Sequence, residues 1–219
     1  MRKKLVIIVL AFAAVIFVVS PVWNIGNLEL NGAVRAFKRV LDVIIVRTDG
    51  KENIMVVPNS DVCFVWWSSD AHLYVDPVPF IDAGLDIEQI PKSRYISFTN
   101  KMYGYSNVFW EYGEEITPDL EWTAIFVVLD EFKTLVDKNR SALNYHAALD
   151  LYSLDFGGGD MFMWAKDMSA NDMDVVFALN PEPLINAGVD PAKVDGWVYE
   201  KVQTKGGELY KFLKAYNLK

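Results

Sequence analysis

The longest unbroken apolar stretch of the chain comes first. Arg2, Lys3 and Lys4 lead into Leu5 to Val19, and no further charge appears before Glu29. A helix of about 20 residues, rising about 1.5 Å per residue, crosses a hydrocarbon layer about 30 Å thick, so this segment is long enough to span a membrane. The three cations at its start, with the next only at Arg35, favour an N-terminus that stays in the cytoplasm while the remainder crosses. A cleaved signal peptide has the same charge and apolar pattern. Its cleavage site would be poor, because Val18 and Ser20 would fill the recognition positions and Pro21 would follow the cut. The expectation is an anchor over residues 1–24, with a cleaved leader as the alternative, and one extracytoplasmic domain over 25–219.

Beyond the anchor the apolar positions change period repeatedly. Ala33 to Val46 and Ser141 to Leu151 read as helices, each followed by a glycine-bearing turn, Asp49-Gly50 and Gly157-Gly158-Gly159. Thr117-Pro118-Asp119 opens a third helix, with Leu120, Ile125, Val128, Leu129, Phe132, Leu135 and Val136 at helical spacing, ending near Asp137 to Arg140. Leu73 to Val75, Val175 to Leu179 and Trp197 to Val202 read as strands, and Tyr95 to Thr99 with Asn107 to Tyr112 as a hairpin. Glu208 to Tyr216 reads as a C-terminal helix.

The chain also repeats itself. Asp76-Pro77-Val78-Pro79-Phe80-Ile81-Asp82-Ala83-Gly84-Leu85-Asp86 returns as Asn180-Pro181-Glu182-Pro183-Leu184-Ile185-Asn186-Ala187-Gly188-Val189-Asp190, with six of the eleven pairs identical. Upstream, Asp61 through Trp66-Trp67 to Asp70 echoes Asp160 through Trp164 to Asp167. The repeated motif is a strand exit. Proline ends the ladder for want of an N–H, the second proline suits a first helical turn, and Gly84 and Gly188 close that turn in the left-handed conformation. Asp86 and Asp190 are placed to cap the next turn. The expected fold is α+β (α/β): one compact domain of two duplicated α/β repeats with a mixed sheet, the halves at about 31–115 and 139–205 joined by a connector helix at about 118–138.

Composition narrows the function classes. Removing Arg2, Lys3 and Lys4 takes the formal charge from −8 to −11, so the exported part repels phosphate backbones and nucleic-acid binding is a poor reading. One cysteine, Cys63, allows no internal disulfide, and its apolar surroundings read as a buried, inert thiol. The only histidines, His72 on or beside a strand and His146 on a helix, share no ligand spacing with each other or with Cys63, so no metal site and no cofactor are expected. No Gly-x-Ser-x-Gly elbow occurs, and Gly157-Gly158-Gly159 lacks the lysine of a phosphate loop. Asp155, Asp160, Asp167, Asp172 and Asp174 cluster without the register of an EF-hand.

What remains as a candidate site is the repetition of Trp67 and Asp70 as Trp164 and Asp167. If the halves meet about a two-fold axis, these four line an aromatic, acidic pocket suited to a cationic or sugar-like small molecule. The leading expectation is therefore a membrane-tethered extracytoplasmic binding or interaction protein without enzymatic activity, with a small-molecule or protein partner. Two alternatives stand beside it: a glycoside-type hydrolase drawing its carboxylates from Asp70, Asp76, Glu111 and Asp167, and an accessory subunit of a larger membrane complex.

Overall fold

A computed structural model describes residues 22–24, 27–41, 45–49, 52–56, 62–66, 71–86, 89, 95–100, 105–109, 121–122, 125–155, 160–168, 173–204 and 207–218. The chain is mixed α+β, with strands β1 Val22–Asn24, β2 Ile45–Asp49, β3 Glu52–Val56, β4 Val62–Trp66, β5 Ala71–Val75, β6 Tyr95–Asn100 and β7 Tyr105–Phe109. The series continues with β8 Glu121–Trp122, β9 Leu143–His146, β10 Leu151–Asp155, β11 Met161–Ala165, β12 Val175–Leu179, β13 Val198–Thr204 and β14 Gly207–Tyr216. Among the described residues four helices accompany them: α1 Asn27–Leu41, α2 Val78–Asp82, α3 Ile125–Lys138 and α4 Glu182–Asn186.

The strands form two seven-stranded sheets, ordered β8-β2-β3-β4-β5-β7-β6 and β1-β9-β10-β11-β12-β14-β13. In these directions the two orders correspond strand for strand. Each set runs helix, four strands, short helix, two strands. The lead strand of each set crosses over: β1 precedes α1 but pairs with β9, and β8 precedes α3 but pairs with β2. Every pairing among the described residues is antiparallel, so the sheets are not mixed. The physical reason lies in the connections, since most consecutive strands are joined by short turns that reverse the chain, and a parallel pair needs a long crossover.

Several sequence expectations change. The stretch from Ser141 to Leu151 is not a helix but β9, a four-residue turn and the start of β10, with Leu149 N–H donating to His146 O at 3.1 Å and Asp150 at φ 52° closing the reversal. The run from Glu208 to Tyr216 is strand β14, because its apolar positions fit either period and pairing with both β12 and β13 decides. Its register with β13 runs from Val198↔Leu213 to Thr204↔Gly207. Helix α3 starts at Ile125, after strand β8 at Glu121–Trp122, and stands ahead of its four strands as α1 stands ahead of the other four. Helix α1 spans Asn27–Leu41, and Val46 belongs to β2. The β6–β7 hairpin falls where the sequence puts it. Among the described residues no helix is long and apolar enough to cross a membrane; the apolar run from Leu5 to Val19 lies outside them, and Val22–Asn24, within the expected anchor, is strand β1.

Both sheets turn one face to a shared core. From the first come Phe64, Trp66 and Leu73; from the second Phe162, Trp164 and Phe177; the helices add Phe37 and Phe132, all at most 7% exposed. The rings are paired by position. Phe64 stacks on Phe162 with centroids 4.5 Å apart, and Phe37 stacks on Phe132. Trp66 and Trp164 each present an edge contact to both Phe37 and Phe132. Strands β11 and β12 are buried along their whole length, because Met161, Met163, Val176 and Leu213 form a second cluster on the opposite face of their sheet. That accounts for the continuous apolar runs MFMWA and VVFAL.

The repeated eleven-residue motif joins the two sets directly. Asp76 Oδ1 accepts from Val78 N–H, and Asn180 Oδ1 from Glu182 N–H, starting α2 and α4 in the same way, with Pro77 and Pro181 as N-caps. Gly84 and Gly188 sit at φ 104° and 99°. Asp86 N–H donates to Ala187 O at 2.8 Å while Asp190 N–H donates to Ala83 O at 2.9 Å, a reciprocal pair. A Cβ on either glycine would lie 2.8 Å from the carbonyl oxygen of the other. Gly84→Ala and Gly188→Ala each combine a left-handed backbone with a backbone clash, so each is expected to lose about 1–3 kcal/mol of stability in chemical denaturation. An unchanged midpoint in either would show that the contact does not hold the two sets together.

Candidate functional site

Trp164, on β11, is fully buried, stacked between Tyr152 and Phe162, and its Nε1–H donates to Ala33 O of α1 at 3.0 Å. Asp167 lies just past the end of the same strand and is exposed. Trp67 and Asp70 lie outside the described residues. The residue that matches Trp164 in the other sheet is Trp66, since Phe64 and Phe162 stack and each tryptophan lies two positions further along its strand. Of the acids considered for hydrolysis, Asp76 is occupied in a turn, Asp167 is exposed at a strand end, and Asp70 and Glu111 lie outside the described residues.

The surroundings of the two tryptophans differ. By register Trp164 faces Tyr152, and Trp66 faces Asn53. Tyr152 is buried and its hydroxyl reaches over α1, so close to Gly32 that a Cβ there would sit 2.8 Å from it. Asn53 is buried and much shorter. Its Nδ2 donates to Glu131 Oε2 on α3 and lies 3.5 Å from Trp66 O. With the nitrogen turned to these two acceptors, the amide oxygen is left over: Asn53 Oδ1 and Trp66 Nε1 are both buried without a partner. Glu131 itself is half-buried. A buried donor or acceptor left unmade costs about 1–3 kcal/mol, so this place carries unused hydrogen-bonding capacity that the Tyr152 side does not.

Three further polar groups are engaged internally. His146 Nε2 lies 2.8 Å from Ser153 Oγ, both side chains are buried, and burial lowers the imidazole pKa to about 4. A serine beside a neutral imidazole has the composition of a nucleophile and its base, but Ser153 is fully enclosed and the bond is structural. At the β9–β10 turn Tyr145 donates to Asp150, Lys166 Nζ lies 3.3 Å from the Tyr145 hydroxyl, and burial with the Asp150 bond pushes the phenol up to about 12. Buried Lys211 has its pKa lowered by desolvation against the opposing pull of Asp160 and Asp155. Among the described residues no group of three or more His, Cys, Asp or Glu could hold a metal ion.

Sequence reasoning misses both Asn53 and the His146–Ser153 bond. A lone Asn ahead of Ile54-Met55-Val56 is the available signal for the first. The second is hidden because the apolar period puts His146 on a helix. No family model, curated protein or solved structure matches the chain.

The buried imidazole sets a pH dependence. Its folded pKa, about 4, lies below the unfolded value near 6.5, so between them only the unfolded chain takes up the proton. Stability is full above pH of about 6.5 and falls by up to about 3 kcal/mol as pH drops through about 4. Denaturation of wild type and His146→Gln at several pH values is expected to show a steeper acid loss in wild type. Parallel curves would contradict a neutral, buried His146.

Proposed function

We propose that the chain is an internally duplicated binding protein, tethered to a membrane by its N-terminal apolar segment, with its folded domain outside the cytoplasm and no catalytic role. The observation that carries the tether is the position of β1. It begins three residues after Val19, and its Val22↔His146 register builds it into the second sheet, so the apolar run leads into the fold with almost no linker. The cations at the N-terminus and the acidic balance of the remainder support the orientation. The six identities in the repeated motif and the matching strand orders support duplication.

Binding is favoured over catalysis by how the polar groups are used. His146, Ser153 and Asp76 are committed to internal bonds, whereas the Asn53–Trp66–Glu131 place is not saturated. A second reading, an accessory subunit docked on a larger complex, draws on Val78, Ile81 and Ile185, which stand 49%, 38% and 36% exposed on the two short helices. The anchor and its orientation are tested by protease treatment of right-side-out membrane vesicles carrying a C-terminally tagged chain. The expected result is loss of the tag without lysis, with the remaining fragment resisting carbonate extraction. A tag protected until lysis would reverse the orientation, and a shortened chain released by carbonate would replace the anchor with a cleaved leader.

A further inference from the structure

We infer that Asn53, Trp66 and Glu131 form a binding site for a small hydroxylated primary amine, a proposal that rests on the binding role above and names its ligand class. The two tryptophans occupy matched positions, yet only one has its indole satisfied. Trp164 donates to Ala33 O and has Tyr152 against its face; the residue matching Glu131 on α1, one position before Phe37 as Glu131 precedes Phe132, is Ala36. That half is closed by an aromatic ring over small helix residues. In the other half Asn53 and Glu131 replace Tyr152 and Ala36, and the fold leaves a buried amide oxygen and a buried indole N–H without partners.

The chemistry of the groups selects the ligand. The Glu131 carboxylate retains acceptor capacity beyond its bond to Asn53. Asn53 Oδ1 adds a second acceptor, and Trp66, the register partner of Asn53, brings an indole N–H that has no partner. A ligand that satisfies all three brings several N–H donors with positive charge and one oxygen acceptor. A primary ammonium provides three donors and is attracted by aromatic faces, and a hydroxyl oxygen takes the indole proton. A neutral diol leaves the carboxylate uncompensated, and a bare metal ion meets the indole N–H with the wrong polarity. Glu131 is half-buried while Asn53 and Trp66 are enclosed, so of the three residues Glu131 is the one that solvent reaches.

The test is thermal unfolding of the full chain in detergent with ethanolamine, ethylene glycol or potassium chloride, each at about 10 mM and matched in ionic strength, since a ligand that binds only the folded state raises Tm. Ethanolamine is expected to raise Tm by a few degrees, and the other two to leave it unchanged. Glu131→Gln keeps the Asn53 bond and the packing, so its ligand-free Tm stays near wild type while its apparent affinity for ethanolamine falls about tenfold or more. The proposal fails if ethanolamine does no better than ethylene glycol, or if Glu131→Gln responds as wild type does. Failure with the C-terminal tag still on the outer face removes this site and leaves the tether; an inverted tag with an intact ethanolamine response does the opposite.

Discussion

The structure depends on a ring stack that neither sheet owns. Phe64 of one sheet lies flat on Phe162 of the other, Phe37 and Phe132 stack from the two helices, and both tryptophans butt against that helical pair. Stacked and edge-on aromatic pairs each add about 0.5–1.5 kcal/mol beyond area burial, and here each ring serves several neighbours. Truncating one large core ring typically costs about 3–5 kcal/mol, and a ring shared between sheets puts that loss on both. Neither set of strands has an inner face that could be closed without the other.

Two further devices tie the sets together. Strands β1 and β8 are exchanged, so the edge of each sheet is supplied by the stretch that precedes the other set's helix. The repeated motif then locks the sets at the ends of β5 and β12 by two reciprocal backbone hydrogen bonds, and glycine is required at both contact points because each backbone occupies the space of the other's Cβ. The motif is thus the same in both halves for a reason that turn chemistry alone does not supply. Departures from the matched arrangement, Asn53 for Tyr152 above all, set the proposed site apart in two sheets whose strand orders otherwise correspond.

How much of this is legible in the chain varies with the kind of signal. The motif and its left-handed glycines are readable because proline and glycine chemistry is local. Strands β5 and β12 and the β6–β7 hairpin are readable from apolar runs bounded by turns. Helix α3 is readable in part, from Phe132, Leu135 and Val136 onward. The β9–β10 and β13–β14 hairpins are not, since Ser141 to Leu151 and Glu208 to Tyr216 carry apolar residues that satisfy a helical period, and the pairing of β9 with β1 and of β14 with β12, both far along the chain, resolves them. The tryptophan that corresponds to Trp164 is not readable, because adjacent Trp66-Trp67 look alike in the sequence and it is the stack of Phe64 on Phe162 that singles out Trp66, at the end of β4. The candidate site escapes for a deeper reason: an unsatisfied Asn53 Oδ1 exists only once the neighbours that fail to satisfy it are in place.

If one core serves both sheets, they cannot unfold separately. Hydrogen exchange read by mass spectrometry across a denaturant series measures this, through peptides covering β4–β5 and β11–β12. A shared core predicts that both sets of peptides converge on one global opening free energy with the same denaturant dependence. If β4–β5 opened in a distinct step while β11–β12 stayed protected, the two sheets would be independent, and the stack between Phe64 and Phe162 would be a contact rather than the foundation of the fold.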